Sequence, residues 1–226
     1  MIQEERYLVL MRHSRRKDEY ETEGDDPLAG WEDRLERPHD PPIIDFQLPI
    51  QSLQALQEAV PLGIREIKTS PYRRCLQTAS VAAEHLLSDL RRITVDRGLS
   101  EVMLRARNAF SASPEADALA HLPLEGIRAL FQPSRRDTIF LAQGDPVDSE
   151  ESPSESMARF QNTVDASVRE CSHDVLVVTH GDCLNAVANQ RHHIVIEAPE
   201  CSWLVIRCSD NTICKTSDGL LMITDG

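Results

Sequence analysis

Aromatic residues make up only 4% of the 226 positions, so a folded core has to rest on Leu, Val, Ile and Ala rather than on stacked rings. No apolar run approaches the roughly 18 residues of a membrane span, and Met1 to Arg6 is a largely polar start. The expectation is no membrane span, no secretory signal and a cytoplasmic location. The six cysteines, Cys75, Cys171, Cys183, Cys201, Cys208 and Cys214, form no CxxC pair or other zinc spacing and read as free thiols in a reducing compartment. Cys201 and Cys208 read as small hydrophobes within apolar β segments. Positive charge is also in short supply. Lys and Arg number 24 against 37 Asp and Glu, a formal net charge of −13, which argues against general affinity for nucleic acid or anionic membranes. It does not exclude one local basic pocket.

What is present is ordinary for a soluble globular protein, with 41% hydrophobic and 27% charged residues. The length suits one α/β domain, 1–226, with polar insertions at about 15–47 and 102–156. Tyr7 to Met11 runs apolar without alternation and then stops at Arg12-His13-Ser14. Such a run reads as a strand buried on both faces, as in parallel sheets, and the carboxyl ends of those strands are where ligands bind. Asp174 to Thr179 repeats the design and delivers His180-Gly181. Ile64–Thr69, by alternation, and Arg92–Asp96 read as further strands. The segments 201–207, 213–216 and 220–223 read as closing strands.

Helical spacing appears over 48–60, after Ser70-Pro71 with Leu76, Ala79, Ala82 and Leu86 inward, over 114–131, over about 155–171 behind Ser152 or Ser154 as cap, and over about 183–191. Ser70 reads as an N-cap, which puts Arg73 and Arg74 in a first helical turn where an anion is favoured. Arg15 to Pro42 reads as a lid or as a solvated insertion. Gln132 to Ser156 reads as irregular and acidic, a loop that could border a pocket and repel acidic substrates. His192-His193 reads as surface rather than as a metal site, and Asp182 as a helix cap. Strands alternating with helices argue a three-layer α/β/α sandwich around a mainly parallel sheet.

Four segments share a theme: Arg12-His13, Arg74, Glu101 and His180-Gly181. Together they resemble the histidine phosphatase superfamily, branch 1, with its phosphoglycerate-mutase-like fold. The family's Arg-His-Gly is here Arg12-His13-Ser14, and its Ser-Pro-x-x-Arg-x-x-Gln-Thr-Ala segment is matched by Ser70, Pro71, Arg74, Gln77, Thr78 and Ala79. Its late Thr-His-Gly is Thr179-His180-Gly181, and its acid after the third strand is Glu101. Arg16 and Cys75 make the chain most similar in motif to the suppressor-of-T-cell-receptor-signalling type phosphatase domains.

The resemblance implies a phosphatase in which His13 is the nucleophile and passes through a phosphohistidine. Arg12, Arg74 and His180 surround the phosphoryl group, and Glu101 is the general acid and then the base. Arg16 is implied as an extra phosphate ligand. No metal or cofactor is required. Ser14, where the family has Gly, is either strained if its φ is positive or a donor to the phosphate. The substrate is a phosphorylated small molecule or a phosphoprotein, with no nucleic acid or membrane partner and with a homodimer left open. The alternatives are a phosphoglycerate-mutase-type isomerase and a non-catalytic phosphate- or partner-binding module.

Overall fold

The structure, a computed structural model, describes residues 5–19, 40–85, 90–102, 124–131, 139–145, 147 and 151–223. The apolar run after Tyr7 forms β1 (Tyr7–Arg12), and Leu8, Val9, Leu10 and Met11 are all fully buried. β1 pairs in parallel with β5 (Asp174–Thr179), with Leu8 opposite Val175 and Arg12 opposite Thr179. β2 (Ile64–Thr69) continues in parallel from β5, followed by β3 (Arg92–Asp96) and β4 (Ile139–Gln143). On the other side of β1, β7 (Trp203–Arg207) and β8 (Thr212–Thr216) add antiparallel strands, completing a sheet of order β4-β3-β2-β5-β1-β7-β8.

Because strand residues alternate between faces, the sheet carries two cores. Val9, Met11, Ile67, Ile93, Leu176 and Val178 pack with α1 (Gln47–Ala59), α2 (Arg73–His85) and α3 (Leu124–Leu130). Leu8, Leu10, Val175 and Val177 pack with α4 (Pro153–Glu170) and α5 (Gly181–His192). Each such Leu or Val stabilises the fold by roughly 1.5–3 kcal/mol relative to exposure. The expected α/β/α sandwich is the observed one, and among the described residues no helix is long and apolar enough to cross a membrane.

Several local expectations are corrected. Ile139–Gln143 is a strand on the sheet edge, inside the stretch read as irregular. A further strand, β6 (Val195–Glu197), pairs antiparallel with β9 (Leu221–Ile223) in a small second sheet. Cys201 is not in a strand. It takes a left-handed φ of 57° in the turn before β7, and Cys208 lies just past that strand's end. The alternation that marks β2 as a strand does not carry over to its burial: Glu66 and Lys68 are both buried. Glu66 accepts from Thr94 Oγ1 at 3.0 Å, and Lys68 Nζ donates to Ser167 at 3.0 Å, so their polar ends are satisfied rather than solvated.

Ser152, not Ser154, caps α4, in a capping box with Glu155. The N-cap of α5 is His180, and Asp182 lies in its first turn. His192 and His193 are exposed at the C-terminus of α5, as expected for surface residues. All six cysteines are free of disulfides. The helix read over 114–131 is seen at 124–130, and residues 114–123 lie outside the described ones, as do 20–39 of the polar insertion.

Candidate active site

The carboxyl ends of β1, β2, β3 and β5 bring His13, Ser70, Glu101 and His180 to one end of the sheet. His13 follows β1 directly and is 2% exposed. Its Nδ1 lies 2.7 Å from the Ser14 carbonyl oxygen. A carbonyl only accepts, so Nδ1 carries the proton and Nε2 keeps the lone pair. Burial, reinforced by the positive charge of Arg74, holds the imidazole well below its usual pKa of 6.5. It is therefore neutral at ordinary pH.

The two edges of the pocket are stitched together by the second motif. The Ser14 N–H donates to Thr78 Oγ1 at 3.0 Å, Thr78 donates to the Arg74 carbonyl at 2.8 Å, and Gln77 Oε1 accepts from the Ile43 N–H at 2.9 Å. Arg74, in the first turn of α2, is 2% exposed and reaches across to Glu101. Its Nη2 donates to Glu101 Oε2 at 3.1 Å and lies 3.3 Å from His180 Nδ1, while its guanidinium stacks 4.5 Å from the Tyr72 ring centre.

His180 Nδ1 is also 3.1 Å from Glu101 Oε2, and its Nε2 is 2.9 Å from Ser70 Oγ, so both ring nitrogens have partners. The rings of His13 and His180 meet edge-on at 5.4 Å. Burial depresses His180 to about 4, against the pull of Glu101. Burial alone would raise Glu101. His180 and Arg74 outweigh it and hold this carboxyl well below the usual range. Glu101 is thus an anion seated on the Arg74 guanidinium.

The remaining expected residues sit around this centre. Arg12 donates from Nη1 to the Ala198 carbonyl at 2.6 Å and pairs with Glu200 at 3.4 Å. Arg16 forks onto Asp18 at 3.0 and 2.5 Å and reaches Glu19 at 3.1 Å, so its head is engaged within its own turn. Ser14 takes no left-handed φ, so serine at this position is not strained. Its hydroxyl donates to the Asp45 carbonyl at 2.7 Å.

Asp40 and Arg159, which sequence reasoning gave no role, and Ser70, which it read as a cap, also build the site. Asp40, fully buried, accepts from the Arg73 N–H at 2.5 Å and lies 4.0 Å from Arg74 Nη1. Ser70 is not a cap, because α2 begins at Arg73; it bonds His180 instead. Arg159, on α4, grips the backbone around Glu101.

Donor atoms of His13, Glu101 and His180 all fall within 4.8 Å of one another, a spacing a metal ion could use. Arg74 Nη2, however, lies within 3.3 Å of both Glu101 Oε2 and His180 Nδ1. A fixed cation among the donors repels a dication and suits an anion. The Arg74 guanidinium thus sits with the neutral His13 and His180 imidazoles, and the Arg12 charge also bears on His13, an arrangement that suits an anion.

The family model of the histidine phosphatase superfamily, branch 1, matches residues 8–214, and the chain belongs to that family, whose members are phosphatases or mutases. Among solved structures, a phosphoglycerate mutase from Bacillus anthracis aligns over 95% of this chain and 93% of its own, at 14% identity and a TM-score of 0.51. A phosphoserine phosphatase from Entamoeba histolytica aligns over 94% of this chain and 96% of its own, at 12% identity and a TM-score of 0.50. At these identities the likeness is one of fold. No curated protein matches the chain.

Proposed function

We propose that this protein hydrolyses a phosphomonoester through a phosphohistidine on His13. The observation that supports this most directly is the fixed tautomer of His13. Its Nδ1–H donates to Ser14, and the buried ring stays neutral, leaving Nε2 as a nucleophile. In the first step Nε2 attacks phosphorus and the ester oxygen departs with a proton from Glu101. Arg12, Arg74 and His180 hold the charge on the non-bridging oxygens. Arg12 Nε is buried and has no acceptor among the described residues, a donor suited to one of these oxygens. In the second step the Glu101 carboxylate takes a proton from water as that water attacks the phosphohistidine, which restores His13 and releases inorganic phosphate.

The substrate is a phosphorylated small molecule or a phosphoprotein. Exposed Ile44 and Phe46 flank Asp45, whose carbonyl accepts from Ser14, and they offer an apolar surface beside the nucleophile loop. An aryl phosphate is therefore the natural first probe.

Glu101 is ionised in the free pocket, and its role as acid requires a proton. The rate on an unactivated ester accordingly rises as pH falls from 8 to 5, over which His13 stays neutral. Hydrolysis of 4-nitrophenyl phosphate and of an alkyl phosphate across this range tests the reading. His13→Ala should lower turnover on the order of a thousandfold or more. Turnover by His13→Ala equal to that of the wild type overturns it.

A further inference from the structure

Glu101 sits on a short irregular segment, not on a strand or helix, although its carboxyl must be placed to within a fraction of an ångström of a leaving oxygen. The 3-10 turn Arg97–Leu99 leads directly into Ser100 and Glu101. Among the described residues, the four successive carbonyls Gly98 to Glu101 accept no sheet or helix hydrogen bond. Side chains take all four. The Thr179 hydroxyl donates to Leu99 at 3.2 Å. Arg159 takes the other three: Nη1 donates to Gly98 at 2.8 Å and to Ser100 at 3.0 Å, and Nη2 donates to Glu101 at 3.4 Å.

The guanidinium is itself locked from behind. Its Nε and Nη2 fork onto Glu151 at 2.8 and 2.7 Å, and its Cζ lies 4.6 Å from the Phe160 ring centre. Glu151 is held in turn by the Ser156 hydroxyl at 2.6 Å. Arg159 and Glu151 are only 15% and 10% exposed, so this is not a solvated surface pair. The fork neutralises the guanidinium, and its effect on Glu101 is one of position, not charge.

We propose that Arg159, oriented by Glu151, is the positioning residue for the general acid: it fixes the backbone from which Glu101 delivers its proton to the leaving oxygen. This rests on the phosphatase reading above. A lysine at 159 offers a single ammonium, which cannot hold three divergent carbonyls and a carboxylate together. In Arg159→Lys the segment loosens while His13, Arg12, Arg74 and His180 keep their places.

The leaving group provides the readout. kcat/KM reports the steps up to departure of that group. A 2,4-dinitrophenolate leaves without a proton, whereas an alkoxide needs one. Arg159→Lys should lose about tenfold or more in kcat/KM on an alkyl phosphate while changing about threefold or less on 2,4-dinitrophenyl phosphate. Glu151→Gln, which keeps the shape but not the fork's charge, should show the same pattern more weakly. A general loss of folding would depress both substrates together.

Equal losses on the two esters, or no loss on either, overturn the inference. Amide hydrogen exchange at residues 98–102 gives a second reading that does not need turnover. Arg159→Lys should accelerate exchange there and leave residues 12–14 and 179–181 unchanged, and unchanged exchange at 98–102 counts equally against it. A wild type inactive on both esters instead removes the phosphatase reading, and the exchange measurement still decides whether Arg159 holds the segment.

Discussion

His180 packs between Arg74, Glu101, Ser70 and Tyr72, and its ring centre lies 5.3 Å from that of Tyr72. It is a neutral imidazole in a buried, cation-lined place, and this carries a stability cost in acid. Its folded pKa of about 4 lies below the ordinary 6.5, so between those values the unfolded chain binds a proton that the native state refuses. Stability is then complete above about pH 6.5 and lost as pH falls toward 4, by about 2 kcal/mol at pH 5 for this group alone. His13 pulls the same way, as does Glu101, whose depressed pKa withdraws stability below its ordinary 4.5. The thermal midpoint of the phosphate-free protein should drop by several degrees between pH 7 and pH 5, and His180→Gln should show a shallower drop. A midpoint flat with pH in the wild type contradicts the neutral-histidine assignment. Activity rising in acid while stability falls would then reflect different groups, Glu101 for the first and the two histidines for the second.

Beside Arg159 and the packing of Leu99 on Phe160 and Val164, the approach of α4 to the turn after β3 uses a glycine. A Cβ at Gly98 would collide with Thr163 Oγ1 and stand 3.0 Å from Asp96 Oδ1 and 3.1 Å from Thr163 Cγ2, so any side chain at 98 forces Thr163 or the segment that carries Glu101 to shift. Gly98→Ala should destabilise by about 1–3 kcal/mol and lower kcat by displacing Glu101. Gly98→Ala with Thr163→Ala should recover part of both. Chemical denaturation and steady-state rates measure this, and full activity in the single variant would rule the contact out as a constraint.

At this scale the sequence was uneven. Uninterrupted apolar runs in β1 and β5 are legible because strands buried on both faces need no polar residue. β4 is not legible in the sequence, because an edge strand with Ile139 and Leu141 exposed has no such signature. Cys201 departs from the strand its apolar neighbours suggest, because its left-handed turn is set by the backbone around it. The Cys201 N–H donates to the His13 carbonyl at 3.2 Å and its own carbonyl accepts from Ser52, contacts that no local pattern encodes.

Across the whole molecule, a chain of net charge −13 places Arg12 and Arg74 at or just past the ends of parallel strands, Arg12 half-buried against Glu200 and Arg74 buried against Asp40 and Glu101. Arg12, His13, Arg74 and His180 are legible because each stands at a strand end or helix start. Asp40 and Arg159 are not, since an acid in a polar stretch and an arginine on an amphipathic helix look solvated until the fold closes over them. What unites these residues is the claim that His13 becomes phosphorylated. The most direct test is to mix the protein with an excess of aryl phosphate, quench in alkali, where phosphohistidine survives, and read the intact mass and the modified peptide. The account predicts one added phosphoryl group, on His13, that forms in the wild type, accumulates in Glu101→Gln and is absent from His13→Ala. Turnover of the same ester with no phosphoryl group trapped in Glu101→Gln, or with the label on another residue, would contradict it.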